Sequence, residues 1–243
     1  MIQHHPLFLA LDFSTGEKAL QFLQQHNLHE IPVKVGIELF YKEGPSIISA
    51  LKERGHPIFL DVKMHDIPNT VKQAAKGIAS LGIDVVNVHA AGGRKMMEAA
   101  LQGVTEGATG TKRPLILAVT QLTSTDERML HHELCIQERM EDVVASYAQN
   151  AQTEGLDGVV CSVQEVELIR KACGDDFFTV TPGIRRAEQN HNDQVRIATP
   201  ALAKQKGATS IVVGRGITQA SNPKQTYQAY EEEWKNGYTT TFS

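Results

Sequence analysis

The stretch FLDVKMHDIPNTV, residues 59–71, begins like a buried strand and then places Asp61, Lys63 and Asp66 within six positions. A strand that is buried on both faces is normally apolar, so charges at its end need a specific reason. Side chains two positions apart on a strand share a face, so Asp61 and Lys63 are predicted to point the same way. The stretch therefore predicts a core strand that ends at a charged site.

Similar apolar runs occur along the whole chain, and longer amphipathic segments separate them. Runs with little polar alternation are typical of strands buried on both faces. The segments between them carry helix signals, such as Pro68 near the start of one and Gly82 at its end, and residues 41–55 are predicted as one helix. The predicted strands occupy residues 7–13, 31–39, 57–63, 83–90, 114–122, 156–163, 177–184 and 209–217.

Eight strand–helix repeats predict an α/β fold with a parallel sheet that closes into a (β/α)8 TIM barrel. A length of 243 residues suits a single barrel domain that spans residues 1–243. An open doubly wound sheet is the alternative, but no GxGxxG pattern follows the first strand. Residues 124–138 follow the fifth strand, are rich in charge, and are predicted as an inserted short helix or lid.

The composition argues against several classes of protein. The formal net charge is −4 and no long Lys/Arg run occurs, so we expect no nucleic-acid surface. The 3 cysteines are far apart and lack CxxC spacing, which disfavours disulfide and zinc frameworks and fits a cytoplasmic protein. We expect neither a signal peptide nor a membrane span, because the first apolar run lacks a basic flank and no run approaches about 20 residues. No His and carboxylate spacing predicts a metal site.

Charged side chains occur on the first three predicted strands, where a barrel carries its chemistry at the carboxyl ends. Asp12 follows the first strand, Lys34 lies in the second, and Asp61 and Lys63 lie in the third. Because charges under the outer helices would be costly, we expect these side chains to face the barrel interior. A structural salt bridge remains the alternative for Asp61 and Lys63 alone. Convergence of four charges at one mouth favours a functional site.

Glycine and arginine residues follow the seventh and eighth predicted strands, in TPGIR and VGRGI. Gly183 and Gly214 would let backbone N–H groups approach a ligand. Arg215 can form a bidentate contact with phosphate, and Arg185 lies on the neighbouring loop. Ordinary turns with solvated arginines are the alternative. The position after strands seven and eight favours a phosphate site.

Taken together, these motifs resemble the orotidine 5'-phosphate decarboxylase family, of the bacterial type. Residues 61–70, DVKMHDIPNT, match the family pattern D-x-K-x-x-D-I-P-N-T. Six further motifs occur in the family's order, and the resemblance extends from residue 7 to about the last helix. These motifs are LALDF, VKVGIELF, NVHAAGG, VTQLTS, TPGIR and IVVGRGIT. The resemblance implies decarboxylation of orotidine 5'-monophosphate to uridine 5'-monophosphate and CO2, the last step of de novo pyrimidine synthesis. It also implies a cytoplasmic homodimer that acts without a cofactor.

The resemblance also implies residue roles. Lys63 would donate a proton to C6 of the pyrimidine, and Lys34, Asp61 and Asp66 would complete its charge network. Asp66, Ile67 and Thr70 would come from the partner subunit, so that active sites are shared across the dimer. Asp12 would hold the ribose and Thr123 would contact the pyrimidine. The substrate-binding residues that it implies are Asp12, Lys34, Asp61, Ile67, Thr70, Thr123, Pro182, Arg185, Gln194, Gly214 and Arg215, of which Arg185, Gln194, Gly214 and Arg215 would close over the phosphate.

The chemistry of this reaction fits the residue types. Loss of CO2 leaves a carbanion at C6 without an adjacent electron sink, and no pyridoxal, thiamine or metal motif is present to supply one. A nearby ammonium group can stabilise the charge and then donate a proton. One alternative is another phosphosugar decarboxylase or aldolase of the same superfamily, which Lys34 and the IPNT extension disfavour. Another is a non-catalytic nucleotide-binding barrel, which would not require four buried charges.

Overall fold

A computed structural model of the chain describes residues 6–186 and 198–237. Within them, parallel strands pair in sequence order from the first to the eighth, and the eighth pairs with the first. The predicted (β/α)8 barrel, a single domain, is thereby confirmed. The strands are β1 (Leu7–Ala10), β2 (Val33–Gly36), β3 (Ile58–Met64), β4 (Val85–His89), β5 (Leu115–Val119), β6 (Gly158–Val160), β7 (Phe178–Thr181) and β8 (Ser210–Val213).

Helices surround this barrel, and several begin at residues with recognisable capping chemistry. Thr15 accepts a hydrogen bond from the Lys18 N–H, and Pro68 occupies the first turn of the helix that follows β3. The α-helices in the described residues are α1 (Gly16–Gln25), α2 (Ile37–Glu43), α3 (Pro45–Lys52), α4 (Pro68–Ala79), α5 (Arg94–Gly107), α6 (Glu127–His132), α7 (Met140–Thr153), α8 (Val166–Cys173), α9 (Pro200–Gln205), α10 (Arg215–Thr218) and α11 (Pro223–Asn236).

Two predicted boundaries were wrong in the second repeat. The predicted strand 31–39 is shorter, because Ile37 already begins α2. The single helix predicted for residues 41–55 is divided into α2 and α3 at Gly44, which has a φ of 62°. Pro45 follows Gly44 directly and disfavours helical backbone at the residue before it, so the helix has to restart.

The buried apolar residues form an inner group inside the barrel and an outer group between the strands and the helices. Along β3, Phe59 belongs to the inner group, whereas Leu60 and Val62 belong to the outer group. Asp61 and Lys63 therefore share the inner face with Phe59, as expected from the alternation of a strand. The inner group consists of Phe8, Ala10, Phe59, Val85, Leu117, Val119, Val160, Val180 and Val212.

The segment that follows β5, predicted as an insertion at residues 124–138, contains α6. Asp126 caps this helix, since its Oδ1 accepts the Met129 N–H at 2.7 Å, and Leu130 is fully buried. Its predicted function as a lid stays a prediction. In the described part of the chain, no helix has the length and apolar character that crossing a bilayer requires.

Candidate active site

A cavity of about 330 Å³ opens at the carboxyl ends of the strands. Its walls include Phe59 and Val119 of the inner group, and polar residues that follow β1, β5, β7 and β8. The barrel thus brings together side chains that are far apart in sequence. The predicted site residues that line it are Asp12, Lys34, Asp61, Lys63, Thr123, Pro182, Arg185, Gly214 and Arg215.

Four of these side chains form a chain of alternating charge. Lys63 Nζ lies 2.6 Å from Asp61 Oδ1, and Lys34 Nζ lies 3.2 Å from Asp61 Oδ2. Lys34 Nζ also lies 3.4 Å from Asp12 Oδ1. The side chains of Lys34 and Asp61 are largely buried, that of Lys63 is partly buried, and that of Asp12 is exposed. The expectation of four buried charges was therefore wrong for Asp12. Asp12 lies beyond the end of β1, where the chain leaves the barrel.

The two central groups of this row of ion pairs, Asp61 and Lys34, both remain ionised. Burial disfavours the charged carboxylate of Asp61, but the ammonium groups of Lys34 and Lys63 outweigh burial and hold its pKa below the usual value. Burial likewise disfavours the ammonium of Lys34, but Asp61 and Asp12 outweigh it and hold its pKa above the usual value. At neutral pH the cavity therefore contains an aspartate between two lysine side chains.

The backbone of Lys63 adopts a left-handed conformation, with a φ of 49°. This conformation costs a non-glycine residue about 1 kcal/mol or more. The Lys63 N–H donates to Asn87 Oδ1 at 2.8 Å, and Asn87 Nδ2 donates to Asp61 Oδ1 at 2.7 Å. Sequence reasoning did not select Asn87 as a site residue, although a buried asparagine inside the apolar run IDVVNVHA was a possible signal.

The two arginines predicted to bind phosphate reach the same cavity from β7 and β8. Arg185 follows Gly183, which has a φ of 78°, and Arg215 begins α10 directly after Gly214. A Cβ atom on Gly214 would lie 3.3 Å from Asp12 Oδ2 and 3.4 Å from Ala10 Cβ. The absence of a side chain at this position therefore lets the β8 turn approach β1 closely. Gln194, predicted for the same role, lies outside the described residues.

The segment after β3 lies apart from the cavity of its own chain. Asp66, Ile67 and Thr70 are exposed and none of them lines the cavity. Asp66 Oδ1 accepts the Ile67 N–H at 2.7 Å, and no ion pair of Asp66 is found within residues 6–186 and 198–237. Asp66 is therefore adjacent to Asp61 and Lys63 in sequence but does not join their ion pair.

A smaller cavity of about 200 Å³ also borders the charged residues. Lys34, Asp61 and Lys63 line both cavities, and Ile37 and Glu38 of α2 complete the smaller one. The same charged side chains therefore border both cavities.

Comparison with known proteins gives concordant matches over nearly the full chain. The profile of the family described as "Orotidine 5'-phosphate decarboxylase / HUMPS family" matches residues 5–230. Two proteins named orotidine 5'-phosphate decarboxylase are similar to this chain in sequence. The one from Geobacillus sp. (strain WCH70) is 58% identical to this chain, and the one from Geobacillus thermodenitrificans is 54% identical. These alignments cover 95% and 97% of this chain, and 97% and 99% of the relatives.

A solved structure gives the same result. The crystal structure of orotidine 5'-phosphate decarboxylase from Lactobacillus acidophilus superposes with a TM-score of 0.86 at 43% sequence identity. That comparison covers 95% of this chain and 99% of the other. The similarity therefore includes the architecture of the whole barrel.

Proposed function

This chain belongs to the orotidine 5'-phosphate decarboxylase / HUMPS family, and we propose that it converts orotidine 5'-monophosphate into uridine 5'-monophosphate and CO2. It is a carboxy-lyase of pyrimidine biosynthesis that needs no cofactor. The observation that carries this proposal is the ion-pair chain of Lys63, Asp61, Lys34 and Asp12 in the barrel mouth. The names of the relatives, at 54% to 58% identity, support the same substrate.

In the proposed reaction, the bond between C6 and the carboxyl carbon breaks and its electron pair stays on C6. The Lys63 ammonium faces the developing negative charge and then donates a proton to C6, which gives uridine 5'-monophosphate. The neutral lysine regains a proton from water before the next turnover. Lys63 thus acts both as an electrostatic stabiliser and as an acid.

Asp61 and Lys34 have supporting roles in this proposal. Asp61 contacts Lys63 Nζ at 2.6 Å and fixes the direction of its ammonium group. Lys34 binds the other carboxylate oxygen of Asp61 at 3.2 Å and so keeps Asp61 ionised. The negative charge of Asp61 therefore stays directly beside Lys63 Nζ, the group that donates the proton in the proposed reaction.

The remaining predicted residues would bind the substrate away from the bond that breaks. Asp12 would hold the ribose, Thr123 would contact the pyrimidine beside Pro182, and Arg185, Gln194, Gly214 and Arg215 would bind the phosphate. Guanidinium groups suit phosphate because they form paired hydrogen bonds. Binding energy from this remote group can orient the pyrimidine against Lys63 and so increase kcat.

We further propose that the enzyme is a cytoplasmic homodimer with shared active sites. Asp66, Ile67 and Thr70 of one subunit would enter the smaller cavity of the other, where Lys34 and Lys63 are accessible. Exposed large apolar side chains support an interface. Ile67 is 67% exposed, and Tyr41, on the helix whose Ile37 and Glu38 line the smaller cavity, is 75% exposed.

The substrate assignment is tested by adding orotidine 5'-monophosphate to the purified chain in the presence of EDTA. We expect its ultraviolet absorbance to fall as one CO2 is released for each uridine 5'-monophosphate formed. A phosphosugar decarboxylase or aldolase that uses a metal would be inactive with EDTA, and a nucleotide-binding barrel would bind the product without turnover. No turnover by a folded sample would overturn the assignment.

Shared active sites are tested by mixing two inactive variants, Lys63→Ala and Asp66→Ala. A mixed dimer has one site in which both residues are intact, so activity is expected to return after the subunits exchange. Each variant alone is the control, and exchange is followed with subunits of two different masses. Complete exchange without recovery would contradict sharing.

A further inference from the structure

The pairing of β3 with β4 changes register beside the charged residues. Leu60 pairs with Val86 and Met64 pairs with Val88, so residues 61–63 of β3 lie opposite Asn87 alone. A bulge of this kind leaves backbone groups without the partners of a regular ladder. The left-handed Lys63 lies within the bulge.

The side-chain amide of Asn87 supplies the missing pairing. Its Oδ1 accepts the Lys63 N–H at 2.8 Å, as a backbone carbonyl would in a regular ladder. Its Nδ2 donates at 2.7 Å to Asp61 Oδ1, the same oxygen that lies 2.6 Å from Lys63 Nζ. Asn87 is 0% exposed, so these contacts are made without competition from water.

Two requirements define the residue that can do this. The side chain must accept a hydrogen bond at one terminal atom and donate a hydrogen bond at the other. It must also be short enough to fit inside a fully buried strand. An asparagine amide meets both requirements. An ionised aspartate would accept a hydrogen bond from the Lys63 N–H but would repel the negatively charged carboxylate of Asp61. Alanine would make neither hydrogen bond.

We propose that Asn87 is a positioning residue that holds Lys63 and Asp61 in the geometry required for proton transfer. It acts through these two residues, by fixing the left-handed backbone of Lys63 and the orientation of the Asp61 carboxylate. The role of Asn87 in turnover rests on the proposed function. Its effect on the backbone of Lys63 does not depend on that function.

The kinetic test compares Asn87→Ala with Val86→Ala, a buried neighbour on β4 that points to the outer apolar group. We expect kcat of Asn87→Ala to fall by about 100-fold, because small displacements of reacting groups have effects of this size. Its affinity for uridine 5'-monophosphate should stay within about threefold, since Asn87 does not line the substrate cavity. Val86→Ala should keep kcat within about threefold. Equal kcat values for the two variants would overturn the proposal.

A second variant, Asn87→Asp, keeps the size of the side chain and guards against a folding failure of Asn87→Ala. A protonated aspartate can both accept and donate, whereas an ionised one can only accept. We therefore expect kcat of Asn87→Asp, relative to that of the unaltered enzyme, to rise as the pH falls from 8 to 5. A ratio that is independent of pH would contradict a role for the donated hydrogen bond.

A third measurement is independent of activity. Hydrogen exchange of the Lys63 backbone amide, followed by NMR, should be at least about tenfold faster in Asn87→Ala than in Val86→Ala, because the amide loses its acceptor. Unchanged protection in Asn87→Ala would overturn the positioning role alone. Absence of turnover in the unaltered chain would instead overturn the proposed function, so the two failures are distinguishable.

Discussion

The two ends of the barrel both contain charged side chains, but these side chains have different partners. At the amino ends of the strands, Arg113 forms two hydrogen bonds to Asp157, at 2.7 and 3.0 Å. Asp157 Oδ2 also accepts the Ile116 N–H at 2.8 Å. This ion pair therefore satisfies a backbone N–H near the start of β5 as well as its own charges.

Arg170 has a comparable position beneath β7 and β8. Its guanidinium donates to the carbonyl oxygens of Asp175 and Phe177 at 2.6 Å and of Gly207 at 2.8 Å. It also donates to the hydroxyl group of Thr209 at 2.9 Å. One side chain thus connects the segments that enter two neighbouring strands.

At the carboxyl ends, by contrast, Lys34, Asp61 and Lys63 mainly contact one another and line two cavities. Lys63 also has a strained backbone. The amino end uses charge to complete backbone hydrogen bonds, whereas the carboxyl end keeps charge available to a ligand. We therefore expect substitutions at the carboxyl end to change turnover and substitutions at the amino end to change stability.

The largest effect is expected for Lys63→Ala, which should lower kcat by at least about 10⁴-fold, because it removes both the proton donor and the stabilising charge. Its melting temperature should stay within about 3 °C of the unaltered value, since Lys34 still pairs with Asp61. Decay of the substrate's ultraviolet absorbance and thermal melts measure the two effects. Lys76→Ala on α4 is the control, and a kcat above 1% of the unaltered value would contradict the prediction.

A second substitution, Arg170→Met, should lower the free energy of unfolding by about 2–4 kcal/mol, because several backbone carbonyls lose a charged donor. Turnover at 25 °C should stay within about twofold. Urea unfolding and the decarboxylation assay measure both effects, and Lys171→Met, an exposed neighbour on α8, is the control. A loss of turnover without a loss of stability would remove the distinction between the two ends.

Two glycines allow the same substitution at opposite ends. A Cβ atom on Gly158, at the start of β6, would lie 2.3 Å from Phe178 O, so β6 and β7 would have to move apart. We expect Gly158→Ala to lower the free energy of unfolding by about 1–3 kcal/mol. A Cβ atom on Gly214 would come no closer than 3.3 Å to its neighbours, so a loss of stability is not expected. Gly214→Ala should mainly raise KM, by about tenfold, because the added methyl group lies in the proposed phosphate site. Equal stabilities of the two variants would contradict this difference.

The sequence predicts the fold well because each repeat has its own local signals. Apolar runs define the strands, and alternation along β3 correctly places Asp61 and Lys63 on the inner face with Phe59. The end of β2 could not be located, because apolar residues such as Ile37 continue from the strand into the next helix. Hydrophobicity marks burial here and does not mark the change of backbone conformation.

The site was harder to predict where it depends on register and chain direction. Asn87 contacts Lys63 only because β3 and β4 change register between Leu60 and Met64, which is a property of two strands together. The left-handed backbone of Lys63 has no local sequence signal such as glycine. Asp66 lies close to Lys63 in sequence but outside its ion pair. Spacing alone does not show this separation, and the assignment of Asp66 to a partner subunit came from the family resemblance.

The smallest effects are expected for two histidines that also lie at opposite ends. His56 precedes β3, where its Nδ1 lies 2.9 Å from Ile31 O, and His89 ends β4, where its ring centroid lies 5.5 Å from that of His65. Burial is the main reason that the pKa of each is below the usual 6.5, and positive neighbours, including Lys63 for His89, lower it further. Below about pH 6.5 the unfolded chain therefore binds more protons than the folded chain, and the free energy of unfolding decreases as the pH falls.

Replacing either histidine with glutamine should reduce this loss of stability between pH 7.5 and 5.5, as measured by urea unfolding. The two ends should differ in turnover. His56→Gln should leave the acid side of the kcat profile unchanged, because His56 is remote from the cavity lining. His89→Gln should change it, because a proton on His89 adds positive charge near Lys63, where the proposed mechanism requires a fixed ammonium group. Identical kcat profiles for the two variants would show that the charge state of the carboxyl end does not depend on His89.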